Sequence, residues 1–121
     1  MKTYVVGNWK MNFNVGESSI YLHKLLKNIP KYRDLEVVVA PSTIALQPLS
    51  LQVDRHILKL AAQNAFYRDY GTFTGETSFA QLRGIVDYIS PNFRRLAATA
   101  TGKTPLTGKI EPSRLSSPMT I

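Results

Sequence analysis

Four short apolar runs, separated by longer and more polar segments, are the feature that most restricts how this chain can fold. They are rich in β-branched, aliphatic and aromatic residues and lie at 3–7, 35–40, 57–62 and 85–89. Runs of this length and composition are typical of buried strands. Parallel strands are usually buried on both faces and need long connections, so the pattern predicts a parallel α/β sheet with right-handed crossovers.

The intervening segments predict helices of unequal strength. Residues 17–29 have one apolar helical face and an acidic first turn, and Pro30 ends the pattern. Residues 44–53 give a weaker prediction because Pro48 interrupts them, and a short helix is expected to begin at 78. The apolar positions of the first helix are Ile20, Leu22, Leu25, Leu26 and Ile29.

Composition changes sharply near residue 90. Residues 91–121 are rich in Ser, Thr and Pro and carry a net charge of +4 out of the chain's +7. We therefore expect one folded domain over 1–90 and a basic, low-complexity, disordered tail over 91–121. The absence of cysteine excludes a disulfide framework. No segment is long and apolar enough for a signal peptide or a membrane span. We therefore expect a soluble cytoplasmic protein without a membrane partner.

Asn8 and Lys10 follow the first predicted strand. In parallel α/β proteins, functional groups gather beyond the carboxyl ends of strands, where a lysine can stabilise a phosphate or an oxyanion and an asparagine can orient it. Charged loop residues are more often simply exposed to solvent, and spacing alone favours that interpretation for Lys10.

Four motifs in order resemble the triosephosphate isomerase family. Residues 7–12 read GNWKMN, residues 39–41 VAP, residues 62–64 AQN and residues 73–78 FTGETS. The resemblance covers about residues 3–89 and implies a partial (β/α)8 barrel with roughly three βα units and a fourth parallel strand. It also implies the interconversion of dihydroxyacetone phosphate and glyceraldehyde 3-phosphate in glycolysis and gluconeogenesis, without a metal or organic cofactor.

The same resemblance assigns roles to individual residues. It makes Lys10 catalytic, and makes Asn8 and Lys10 bind a triose phosphate. It implies a homodimer in which the loop from residue 63 to 77 enters the partner subunit, with Thr74 bracing the partner's site and Glu76 holding the loop in shape. On spacing alone, Thr74 and Glu76 could equally bracket the loop or cap the following helix. The loop residues concerned are Gln63, Asn64, Thr74, Gly75 and Glu76.

The sequence departs from the family after its fourth predicted strand. The family has an I-G-H-S-E-R-R segment there, whereas this chain has Pro91 in place of the histidine and Phe93 in place of the glutamate. His23 and His56 lie away from the strand ends and are expected to be structural or surface residues. The family mechanism uses a glutamate base and a neutral histidine electrophile. Without either, this chain is expected to be an inactive fragment of the barrel.

A change of reading frame or a retained intron near codon 90 would explain that departure. Translation of the nucleotide sequence in its other two frames tests the hypothesis, and a missing Gly-His-Ser-Glu-Arg-Arg segment in both would contradict it.

The alternative function is a non-catalytic protein that binds a partner or a polyanion through its basic tail, although we do not expect nucleic acid as a partner. Gly102-Lys103-Thr104 lacks the glycine and strand that a phosphate-binding loop requires.

Overall fold

The computed structural model describes residues 2–89 together with two short strands at 94–95 and 119–120. Strands and helices alternate along residues 3–89, as the apolar runs predict. In chain order the elements are β1 Thr3–Asn8, α1 Val15–Asn28, β2 Leu35–Ala40, α2 Thr43–Ser50, β3 Leu58–Ala62, α3 Phe79–Leu82, β4 Tyr88–Ile89, β5 Arg94–Arg95 and β6 Met119–Thr120.

The sheet has the strand order β5-β4-β3-β2-β1-β6, and β1 to β4 are mutually parallel. The longest pairing joins β1 to β2, from Thr3 opposite Leu35 to Asn8 opposite Ala40. Strand β5 pairs antiparallel with β4, and β6 pairs parallel with the end of β1. The predicted fold class is therefore confirmed: four parallel strands with helices between them form part of an α/β barrel.

Helix α1 begins and ends where its sequence indicates. The Asn14 side chain accepts a hydrogen bond from the backbone N–H of Glu17, and the Glu17 side chain accepts one from the backbone N–H of Asn14. This reciprocal cap satisfies two donors that the first turn would otherwise leave unpaired. At the other end, Ile29 is extended because the following Pro30 disfavours a helical conformation before it. Leu22 is the most deeply buried apolar side chain of the helix.

Several boundaries differ from the sequence prediction. Helix α2 continues through Pro48 and ends two residues later, although a proline there cannot donate the helical hydrogen bond to the carbonyl of Ile44. Strand β3 begins at Leu58 rather than Ile57, which belongs to a turn closed by the carbonyl of Asp54. Strand β4 is only two residues long, since the backbone N–H groups of Ile85 and Val86 bond to the carbonyl of Leu82 in a turn.

The apolar side chains of the strands divide between the two faces of the sheet. Successive side chains of a strand point to opposite faces of the sheet. Because both faces are buried here, the strand sequences are apolar at almost every position. The face that packs against the helices carries the larger core. That core includes Trp9, Leu22, Leu46, Leu49, Leu58 and Leu60. The opposite face carries a smaller cluster of Val6, Val38, Ala40, Ala61 and Tyr88.

The predicted tail, 91–121, lies outside the described residues apart from β5 and β6, and so do Pro91, Phe93 and Gly102-Lys103-Thr104. Within the part of the chain that the structure describes, no helix has the length and hydropathy needed to cross a membrane. The same residues contain no group of three or more His, Asp or Glu that could hold a metal ion.

Candidate functional site

The carboxyl ends of β1, β2 and β3 meet at Asn8 and Lys10. Asn8 closes β1 and is half-buried, whereas Lys10 is exposed two residues later. The side-chain oxygen of Asn8 accepts a hydrogen bond of 2.9 Å from the backbone N–H of Lys10. The structure therefore brings the two sequence-predicted binding residues together at the sheet edge where parallel α/β proteins carry their sites.

The backbone of Lys10 is held in an unusual conformation. Its φ angle is +54°, in the left-handed region that favours glycine. Its carbonyl oxygen accepts a hydrogen bond of 2.7 Å from Nε2 of Gln63 and a longer one of 3.4 Å from the hydroxyl of Ser42. A lysine in this conformation costs about 1 kcal/mol or more, and the surrounding hydrogen bonds offset that cost.

Gln63 links the three strand ends. Besides the Lys10 carbonyl, its Nε2 donates to the carbonyl of Ala40 at 2.8 Å, so one amide group joins the loops after β1 and β2 to the end of β3. The sequence assigned Gln63 to the loop that enters a partner subunit, and in the structure it lies at the base of that loop. Spacing gave no indication of its contacts, because Ala40 and Lys10 are distant from it along the chain.

An aromatic cluster anchors Trp9, the residue between Asn8 and Lys10. Trp9 is fully buried, and its ring makes edge-to-face contacts with Phe13 at 5.4 Å and Tyr21 at 5.3 Å between centroids. Its backbone N–H donates to the carbonyl of Ala40 at 3.0 Å, and its carbonyl accepts from the side chain of Asn12 at 2.9 Å. The loop that carries Lys10 is therefore fixed on both sides of the lysine.

The predicted dimer loop begins at Gln63 and is exposed over most of its length. Asn64 is exposed near its beginning, and Thr74, Gly75 and Glu76 are exposed at its far end. Gly75 has a φ angle of +85°, and the backbone N–H of Glu76 donates to the carbonyl of Phe73 at 3.1 Å, which closes a turn. Within the described residues, no hydrogen bond or ion pair joins the far end of the loop to Asn8 or Lys10.

The helix after this loop has its own cap. The hydroxyl of Ser78 accepts from the backbone N–H of Gln81, and the Gln81 side chain accepts from the backbone N–H of Ser78. Thr74 and Glu76 are therefore not the residues that cap α3. The two histidines are exposed, His23 on α1 and His56 in the turn before β3.

Sequence reasoning missed a polar cluster at the opposite, amino end of the strands. Glu36 is 9% exposed, forms an ion pair of 2.5 Å with Nζ of Lys2, and accepts a hydrogen bond from the hydroxyl of Tyr88. Nearby, Arg55 pairs with Asp87 at 2.7 Å, and its guanidinium also donates to the carbonyl of Ile85. The sequence did contain a signal for this cluster, because Glu36 is a charged residue inside the apolar run 35–40. A buried charge needs partners, so such a residue predicts nearby cations or donors.

These partners determine the ionisation of Glu36. Burial raises the pKa of Glu36, but hydrogen bonds from Lys2 and Tyr88 and the charges of Lys2 and Lys59 lower it more, so the pKa lies below its ordinary value. A lowered folded-state pKa means that the unfolded chain takes up a proton first as the pH falls. The stability that Glu36 contributes is therefore fully present above its unfolded-state pKa of about 4.5. It is lost as the pH falls through the lower pKa of the folded state.

We expect this to appear as acid-sensitive stability. The free energy of unfolding should decline below about pH 4.5, and the difference between the wild type and Glu36→Gln should shrink over the same interval. Urea unfolding followed by circular dichroism at several pH values measures both. Asp69→Asn, at an exposed loop position, is the matched control. A pH-independent difference between the wild type and Glu36→Gln would contradict the assignment.

Comparison with known proteins matches the same part of the chain. The family model described as triosephosphate isomerase matches residues 3–87. The triosephosphate isomerase of Streptococcus mutans is 36% identical over 89 residues, which are 73% of this chain and 35% of that protein. That of Lactiplantibacillus plantarum is 38% identical over 91 residues, 74% of this chain and 36% of that protein.

A third relative, the triosephosphate isomerase of Pelobacter propionicus, is 39% identical over 79 residues, which are 65% of this chain and 32% of that protein. The chain thus spans about a third of the length of the curated relatives it matches. The part matched by the family model, residues 3–87, contains β1, β2 and β3 and the corner formed by Asn8 and Lys10. On this agreement of sequence and fold, the chain belongs to the triosephosphate isomerase family.

Proposed function

We propose that this chain forms the substrate-phosphate corner of a triosephosphate isomerase site, which interconverts dihydroxyacetone phosphate and glyceraldehyde 3-phosphate. The observation that carries the proposal is the held conformation of Lys10, with its φ of +54° and its carbonyl bonded to Gln63. Unfavourable backbone conformations persist where function requires a side chain in one place. Here the held backbone fixes the point from which the Lys10 side chain projects, at the carboxyl end of β1.

Lys10 and Asn8 are suited to the charge changes of this reaction. The substrate brings a phosphate dianion, and removal of a proton next to its carbonyl places further negative charge on oxygen. A fixed ammonium group stabilises both charges without reorganising during the reaction. Asn8 orients the lysine through the hydrogen bond of 2.9 Å to its backbone N–H.

We propose further that the 121-residue chain binds a triose phosphate but does not turn it over by itself. Pro91 stands where the family has its histidine electrophile, and proline has no hydrogen to donate to a substrate carbonyl. The matched residues, 3–87, also do not include the segment in which the family carries its glutamate base. General acid and base groups each contribute about 10²- to 10⁴-fold in rate, so losing both removes measurable turnover.

Titration calorimetry with dihydroxyacetone phosphate and a coupled isomerase assay test these proposals together. We expect weak binding by the wild type, at least tenfold weaker binding by Lys10→Gln, and no turnover by either protein. Lys24→Gln, which removes an equal charge from the exposed face of α1, is the matched control and should bind like the wild type. Equal binding by Lys10→Gln would overturn the role of Lys10, and measurable turnover would overturn the claim of inactivity.

We also propose that the loop 63–77 mediates homodimerisation and that the protein is cytoplasmic, as in the family that the sequence resembles. The loop presents large side chains to solvent: Tyr67 is 72% exposed and Tyr70 is 79% exposed. Aromatic residues are enriched in protein interfaces, which supports a docking role for the loop. Sedimentation velocity of the wild type and of Tyr70→Ser tests it, and a monomeric wild type at all concentrations would contradict it.

A further inference from the structure

A polar cavity lies at the opposite end of the strands from Lys10. It has a volume of about 410 Å³ and opens between the amino ends of β1 to β4. Strand β1 has six residues, and at about 3.3 Å per step its first and last residues lie about 17 Å apart. A ligand in this cavity would therefore not touch Asn8 or Lys10.

Both carboxylates of the cavity wall are already neutralised. Glu36 is paired with Lys2 at 2.5 Å and bonded to the hydroxyl of Tyr88. Asp87 is paired with Arg55 at 2.7 Å, and the same carboxylate oxygen accepts the backbone N–H of Leu60 at 3.1 Å. Neither carboxylate needs a further cation.

Two cations of the same wall have no such partner. Arg33, in the loop before β2, and Lys59, in β3, both line the cavity, and no ion pair involves either of them among the described residues. Lys59 is half-buried on the same side of the sheet as Glu36, whose pKa its charge helps to lower. The wall thus carries unbalanced positive charge in a concave, partly desolvated place, where an anion interacts more strongly than in bulk water.

The rest of the wall supplies uncharged donors and aromatic surface. Tyr4 and Tyr32 line the cavity, and the Tyr4 ring packs edge to face against Tyr88 at 6.5 Å. Phenolic hydroxyls can donate to an oxyanion, and arginine matches two oxygens of a phosphate with its planar fork. His56 also lines the cavity.

From this arrangement we propose an anion-binding site for a phosphate group at the amino end of the sheet, bound through Arg33 and Lys59. Two cations match the charge of a phosphate dianion, whereas a monocarboxylate leaves one of them unbalanced. The phosphate group is either free or carried by a small organic molecule, and the tyrosine surface of the wall favours an aromatic or flat organic substituent. The site is separate from the substrate corner proposed above and does not depend on it.

The test is titration of the ¹⁵N-labelled 121-residue chain with inorganic phosphate, phenyl phosphate and acetate, followed by the backbone amide shifts. We expect saturable shifts at residues 33, 56 and 59 with both phosphates, and at least tenfold weaker binding of acetate. The shifts should persist in Lys10→Gln, which separates this site from the substrate corner. Tighter binding of phenyl phosphate identifies an organic phosphate, and equal binding identifies free phosphate.

The matched variants are Arg33→Gln and Lys59→Gln against Lys24→Gln, each of which removes one positive charge. We expect the first two to weaken phosphate binding at the amino end at least fivefold and Lys24→Gln to leave it unchanged. Shifts of the wild type confined to residues 8–10 would overturn the proposal. So would equal effects of all three variants, which would show general charge screening, or equal binding of acetate and phosphate.

Discussion

Replacing Trp9 by alanine is expected to lower the free energy of unfolding by about 3–5 kcal/mol, because it removes the largest fully buried side chain of the core. The Trp9 ring contacts Phe13 and Tyr21 edge to face. Its removal loses the burial of a large aromatic surface and leaves a cavity between β1 and α1. Small domains are stable by only about 5–15 kcal/mol, so this loss is a large fraction of the total stability.

Trp9→Phe is the matched variant. It keeps an aromatic ring and removes an indole N–H that has no hydrogen-bond partner among the described residues. We therefore expect a loss of only about 1–2 kcal/mol. Met11→Ala, at a side chain that is 95% exposed, should leave stability unchanged. Urea unfolding of all three variants is followed by circular dichroism. Tryptophan fluorescence is unsuitable because Trp9, the chain's only tryptophan, is replaced in two of them. Equal losses for Trp9→Ala and Trp9→Phe would contradict the packing account.

Replacing Asp87 by alanine is expected to cost about 2–3 kcal/mol, because it leaves two half-buried donors without their acceptor. One oxygen of Asp87 accepts from Arg55 at 2.7 Å and from the backbone N–H of Leu60 at 3.1 Å. The surroundings of Arg55 offer few other acceptors, since its Nε is already buried without a hydrogen-bond partner within the described residues. The loss falls on the junction between β3 and the short β4.

The control for this prediction separates charge from hydrogen bonding. Asp87→Asn keeps an oxygen that can accept from Leu60 but removes the negative charge that faces Arg55, so we expect a loss of about 1 kcal/mol. Asp69→Ala, at an exposed loop position, should have no effect. The midpoints of urea unfolding give the comparison. If Asp87→Ala unfolds within about 0.5 kcal/mol of the wild type, the pair contributes no more than an exposed ion pair.

The strands were predictable because burial on both faces leaves a continuous apolar signal. The run 35–40 became β2 without change, and 3–7 became β1 with one more residue. Less of the fourth strand was predictable: Ile85 and Val86 have strand-forming side chains, but their backbone groups bond back to Leu82. A local turn thus overrode the strand preference of these side chains, because β-propensity depends strongly on context.

The candidate site was predictable in part. The residues at the end of β1 were identified from strand order and motif resemblance, and the structure brings Asn8 and Lys10 together. The contacts of Gln63 could not be predicted, because the Lys10 carbonyl that it binds is 53 residues away along the chain. The partners of Glu36 were equally inaccessible, since Tyr88 lies 52 residues away. Only the folded sheet shows which distant groups become neighbours.

The bridge made by Gln63 has a consequence for how the chain reaches its native state. Its amide can reach the carbonyls of Ala40 and Lys10 only when β1, β2 and β3 are aligned in the native register. A slip of one residue in β3 would turn its side chains to the other face of the sheet and carry this amide away from both acceptors. Correct strand alignment and assembly of the lysine corner are therefore one event, and a misaligned chain has no such corner to offer a ligand.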